Sequence, residues 1–129
     1  MKNILLVLML IAALSGTSQN LGRHMDSFSM AYYTADTSSS NEMYLYHYDY
    51  DDNFTLIFFD SLNVAVNVQY VYANKSDAKK HLSDLICNYH KENGKYKKTS
   101  LYLSNDGTKY ACLYKSDKDY IVSIFTNDD

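Results

Sequence analysis

Four tyrosines recur at alternate positions, Tyr44, Tyr46, Tyr48 and Tyr50. Alternate side chains on an extended strand share one face, so this spacing lines up four phenol rings as a single surface. Tyrosine joins a large apolar ring to a polar tip and has few torsions to freeze. Such a row can receive a protein or a glycan, seat a second copy of the chain, or cover the sheet's own second face. An acidic stretch, Asp49-Tyr50-Asp51-Asp52-Asn53, follows directly. Its carboxylates at Asp49, Asp51 and Asp52 are candidates for contact with a basic partner site. Calcium fits them poorly, because Phe54 stands where a helix-loop-helix calcium loop needs glycine and Asp60 where it needs a bidentate glutamate. Asp and Asn side chains favour tight bends, so the stretch reads as a hairpin turn.

The other chemistry-bearing residues are sparse. His24, His47, His81 and His90 show no HxH or HxxxH spacing, and zinc needs three or four converging ligands. No metal and no cofactor is expected. Cys87 and Cys112 are the only cysteines, and in an oxidising compartment they could join as a disulfide. Cys87 with His90 is the one local pairing that could serve nucleophilic catalysis, but Cys87 lies far from a helix N-terminus, where a thiolate is favoured. There is no nucleophile elbow, phosphate loop or dinucleotide fingerprint. Catalysis is therefore not expected. Lys91, Lys95, Lys97 and Lys98, with Tyr96 among them, read as a solvated helix end or a small anion patch.

These residues need elements to hold them. Residues 28–34 carry an alternating pattern through Phe28, Met30 and Tyr32 and are expected as a strand. Met43 to Asp49 alternates, with Met43, Leu45 and His47 opposite the tyrosines. Phe54 to Phe59 is a continuous apolar run, as in a strand buried on both faces. Val64 to Tyr72 alternates again, and three strands joined by tight turns make an antiparallel meander. Ala78, Leu82, Leu85, Ile86 and Tyr89 share one stripe at helical spacing, which predicts a helix over 76–91 capped by Asn74 or Ser76 and stopped near Gly94. Strands around Leu101–Leu103, Lys109–Lys115 and Tyr120–Thr126 follow, with Asn105-Asp106-Gly107 as a hairpin turn. The expected fold is α+β: an antiparallel sheet of six or seven strands, built as a four-stranded meander, one helix and a three-stranded meander, with the helix on one face. One helix cannot cover seven strands, so the sheet must curl or leave part of its second face open.

The first 18 residues run from Met1-Lys2-Asn3 through an apolar Ile4–Leu14 to Ser15-Gly16-Thr17-Ser18, the order of a secretory signal. The run falls short of the roughly 20 residues that span a bilayer, and no membrane anchor is expected after cleavage. A lysine-led leader ending Ser-Gln resembles those of exported proteins of the Bacteroidetes bacteria, which implies a secreted or periplasmic protein. Residues 19–27 show no period and are expected to be flexible, ahead of a single domain over 28–129. Residues 19–129 hold 11 Lys and Arg against 15 Asp and Glu, so general nucleic-acid binding is not expected. The signs are uneven. One Arg faces seven carboxylates in 19–74, whereas ten Lys face eight in 75–129. A small exported interaction domain fits best, with a protein or glycan partner or a homodimer. An inhibitor or immunity-type protein presenting the acidic turn is the alternative, and a small hydrolase using His47 or Cys87 the third class.

Overall fold

The structure is a computed structural model that describes residues 20–49 and 52–127. One antiparallel sheet dominates it. Its strands are β1 (Thr34–Thr37), β2 (Met43–Tyr48), β3 (Phe54–Phe59), β4 (Ala65–Tyr72), β5 (Tyr89–Tyr96), β6 (Thr99–Ser104), β7 (Lys109–Ser116) and β8 (Asp119–Thr126). They lie side by side as β1-β2-β3-β4-β8-β7-β6-β5. Two four-stranded meanders thus meet where β4 pairs with β8. Helix α1 (Lys75–Leu85) carries the chain from the centre of the sheet to its far edge. This is the α+β fold the sequence predicts, with eight strands rather than six or seven.

The extra strand is β5. The helical stripe was expected to run to 91, but α1 stops at Leu85 and a single 3-10 turn, Ile86–Asn88, leads into β5. Ile, Cys, Asn and Tyr are all mediocre helix formers, and the amide of Tyr89 bonds back to Ile86 rather than continuing the helix. Gly94 lies in the irregular stretch of β5 between Lys91 and Lys95, not at a helix end. The lysines read as a helix terminus sit instead on this edge strand and its hairpin. The helix start follows expectation: the Asn74 side chain accepts from the Ser76 amide at 2.8 Å and the Ser76 hydroxyl at 2.7 Å. Among the described residues no helix is long and apolar enough to cross a membrane.

The N-terminal stretch also departs from its reading. Residues 28–33 form no strand, because the Ser29 carbonyl accepts from both the Tyr32 and Tyr33 amides and turns the chain. Pairing begins only at Thr34. Residues 20–27, expected to be flexible, are tied to the start of β4: Gly22 N–H donates to Ala65 O at 2.8 Å, Ala65 N–H to Arg23 O at 2.8 Å, and Met25 N–H to Asn63 O at 2.7 Å.

This segment and α1 share one face of the sheet, here the inner face. Phe28 packs with Leu45, Ile57, Ala65 and Val68, flanked by Leu21, Met25, Tyr33, Phe59 and Tyr70. Helix α1 lies against β4, β7 and β8, where Val122, Ile124 and Ala111 are fully buried. The inner face is therefore closed by two lids, the N-terminal segment over β2–β4 and the helix over β4–β8–β7.

The outer face is closed over only part of its width. The Tyr96 ring at the end of β5 lies 5.7 Å from Tyr114 on β7 and 5.0 Å from Phe125 on β8. In a flat sheet three strand spacings would hold β5 about 14 Å from β8. The β5–β6 hairpin thus curls over the outer face and buries Cys112 and Ser123 completely. Over β2 and β3 nothing comparable covers it among the described residues.

Candidate binding face

The open part of the outer face is set by register. Tyr44 lies opposite Phe58, Tyr46 opposite Leu56, and Tyr48 opposite Phe54. Six large side chains from two neighbouring strands therefore point the same way. The rings touch in sequence: Phe58 to Tyr44 at 5.5 Å, Tyr44 to Tyr46 at 6.1 Å, Tyr46 to Tyr48 at 5.8 Å, and Tyr48 to Phe54 at 5.9 Å. Tyr48 is 75% exposed, and the other five are half-buried. On β4 the same face continues through Asn67, Gln69 and Val71. Asn67 accepts from the Ser123 hydroxyl at 3.0 Å, which forms a polar seam between the open and the curled parts. On the far side, the Tyr44 hydroxyl donates to Asp36 Oδ2 at 3.5 Å.

The sequence pointed to the tyrosines but not to their partners. The run Phe54–Phe59 was read as buried on both faces. In fact Thr55 and Ile57 are buried inward, while Phe54, Leu56 and Phe58 are only half-covered outward. The signal for this lay in the short turn at 49–53, which fixes β3 against β2. Tyr50 and Asp51 fall outside the described residues.

The two described acidic candidates, Asp49 and Asp52, differ in setting. Asp49 turns inward, with Oδ1 3.0 Å from His47 Nδ1 and Oδ2 accepting from the Thr55 hydroxyl at 3.0 Å. Asp52 stays exposed in the turn, at φ 63°. The rings of Tyr32 and Tyr33 lie 4.5 and 5.1 Å from the His47 ring, so the His47–Asp49 pair is capped by aromatic rings. Its neighbour across the inner face is a second pair, in which Tyr72 Oη lies 2.5 Å from His81 Nδ1. His81 Nε2 is buried with no hydrogen-bond partner among the described residues. An open pocket of about 390 Å³ beside it is lined by Tyr72, Asp77, Lys80, His81 and Asp84.

Burial pulls the His81 pKa below its ordinary 6.5, with Asp84 pulling the other way. Burial, then Asp49 and Asp77, push Tyr72 up to about 12. Because the folded His81 resists protonation, the unfolded chain binds more protons below pH 6.5, and stability falls as pH drops through that value. Urea unfolding at pH 7.5 and pH 5 should show this loss in the wild type and a smaller loss in His81→Gln. Equal losses would assign the titration to another group.

Cys87 and His90 are not brought together as a catalytic pair: Cys87 Sγ turns to Ser83 O. Cys87 and Cys112 are both free thiols, so the disulfide considered from sequence is not formed. Cys112 is buried on the outer face, and burial pushes its thiol up to about 12. The exposed Cys87 Sγ donates to Ser83 O at 3.6 Å, in the turn feeding the far edge strand. His90, expected beside it on a helix, lies on β5 and contacts Asn105 and Glu92. Among the described residues no three His, Cys, Asp or Glu converge as a metal site.

No protein-family model, curated protein or solved structure matches this chain. The class that fold and site define is an α+β domain whose sheet is covered on its inner face and carries an open aromatic strip on its outer one.

Proposed function

We propose that the protein is an exported, non-catalytic binding domain that engages another protein chain through Tyr44, Tyr46, Tyr48, Phe54, Leu56 and Phe58. The observation that carries this reading is the outward strip itself. Tyr48 stands exposed and the five other large side chains partly exposed, on the face opposite the buried inner core. Contiguous apolar surface of that kind marks interaction sites, and tyrosine is enriched where interfaces gain their energy. The leader at 1–18 supports a secreted or periplasmic location.

A protein surface suits the strip better than a glycan. A sugar stacks on rings that present a common plane. Here the ring planes of Tyr44 and Tyr46 differ by 43°, and those of Tyr46 and Tyr48 by 83°. Rings set edge to face make a corrugated surface, which interdigitates with side chains.

The test is the double variant Tyr46→Ser/Tyr48→Ser. Truncating two central aromatic contacts should weaken partner binding at least tenfold, at about 1–2 kcal/mol per lost anchor. Far-UV dichroism and the urea midpoint should stay close to wild type, because the inner core is untouched. Unchanged binding in a folded double variant would refute the assignment of this face.

A further inference from the structure

We propose that the occupant of the open aromatic strip is a second copy of this chain, with the lysine-tipped β5–β6 hairpin of each copy seated on the tyrosine strip of the other. This rests on the binding reading above and names its partner.

Charge and shape both point this way. Residues 34–72, which hold the open strip, carry six carboxylates and no Lys or Arg. Residues 89–126, which hold the curled part of the sheet, carry seven Lys against four carboxylates. By register Lys91, Lys109 and Lys115 share the inner face with Ala111, so the basic half meets the outer face through the hairpin tip at Lys97 and Lys98. Asp52 stands exposed in the turn after Tyr48, at the strand level of Tyr114, and Lys97 Nζ lies 4.5 Å above the Tyr114 ring. The curled hairpin is raised above the face, while the strip over β2 and β3 lies open. A two-fold axis parallel to the strands, placed near the β4–β8 seam, turns the raised, lysine-tipped hairpin of one copy onto the open strip of the other, at its Tyr48–Phe54 end. The same contact is made twice, as a closed isologous interface requires. Lysines arriving over tyrosine rings add cation–π attraction.

The hairpin tip adds an independent observation. Lys97 and Lys98 have φ 48° and 66°. A two-residue turn with positive φ at both positions favours Asn-Gly, and each non-glycine residue there costs roughly 1 kcal/mol. Two lysines, exposed and mutually repelling, occupy the tip instead. Lys97 is met in part within the chain, 4.5 and 5.7 Å from the Tyr114 and Tyr96 rings, and an acidic partner at that point would meet the exposed Lys98 beside it.

Light scattering on size-exclusion eluates of the mature chain, over a concentration series, tests this. The expected result is a dimer whose dissociation constant rises at least tenfold in Lys97→Glu/Lys98→Glu and rises with added salt. Tyr46→Ser/Tyr48→Ser should also dissociate it. The lysine variant lies on exposed residues, so it keeps the test valid if the tyrosine variant misfolds. Restored dimerisation on mixing Lys97→Glu/Lys98→Glu with Asp52→Lys, whose turn follows the Tyr48–Phe54 end of the strip, would support the acidic-to-basic pairing. A wild type that stays monomeric at several hundred micromolar overturns the proposal, as does a dimer indifferent to both lysines. If that monomer still binds a different protein, and loses it in the tyrosine variant, the second copy is excluded while the binding face stands. If it binds none, both fall.

Discussion

Phe28→Ala should cost about 3–5 kcal/mol of unfolding free energy, the range for truncating a buried phenylalanine. Phe28 is 4% exposed. Its ring meets Tyr33 at 5.4 Å and Phe59 at 5.7 Å, both edge to face, and the Arg23 guanidinium lies 4.2 Å over it. It is the one fully seated apolar side chain of the 20–33 lid, which is tied further by Leu21, Met25 and Tyr33 at the rim of the core and by backbone bonds to Asn63 and Ala65. Against a typical domain stability of 5–15 kcal/mol, the loss is a large share. Urea unfolding measures it. Hydrogen exchange at Ala65, whose amide bonds to Arg23 O, gives the mechanism. Exchange there should accelerate more than at Val68 in mid-strand. An unchanged Ala65 amide would mean that the lid holds without Phe28.

That lid was illegible in the sequence because nothing local encodes it. Residues 20–27 have no period, and their order comes from bonds to β4 some 40 residues on. Phe28, Met30 and Tyr32 alternate as a strand would, but Met30 and Tyr32 are 58% and 62% exposed, so the alternation buries nothing beyond Phe28. Where one face of a strand is core, the pattern did identify it. Leu45 and Val68 sit inward as their alternation allows, whereas Ile57 lies in a continuous apolar run that named neither face, and the Asn74 cap starts the helix. The edge strand β5 failed for the opposite reason. It pairs only with β6 and has no deep face to stamp a period on Tyr-His-Lys-Glu-Asn-Gly-Lys-Tyr. The tyrosine strip was half legible. Alternation put Tyr44, Tyr46 and Tyr48 on one face, but their exposure depends on where the hairpin curl ends. The roles of Asp49 and Cys112 depended on long-range pairing, with Thr55 across the turn and Tyr96 across the sheet.

The clearest separation of core from binding face comes from one substitution made at two adjacent residues. Ile57 and Leu56 are neighbours on β3 and point to opposite faces. Ile57 is fully buried under the N-terminal lid beside Leu45 and Val68, whereas Leu56 is half-covered, opposite Tyr46. Ile57→Asp places a carboxylate among apolar side chains with no cation to pair it. Desolvating it, ionised or protonated, costs several kcal/mol, and the lost isoleucine adds to that cost. The sum is comparable to the whole stability of a domain this size, so the expected result is an unfolded or aggregated product at 25 °C. Leu56→Asp leaves its carboxylate in reach of water and should cost about 1 kcal/mol. It does, however, put negative charge at the centre of a strip already flanked by carboxylates. Binding should fall at least as far as with the double tyrosine variant, and the dichroism spectrum should stay native. Should Leu56→Asp unfold the chain as Ile57→Asp does, the outer face over β2 and β3 would be a second core, and the binding face would have to be sought elsewhere on the molecule.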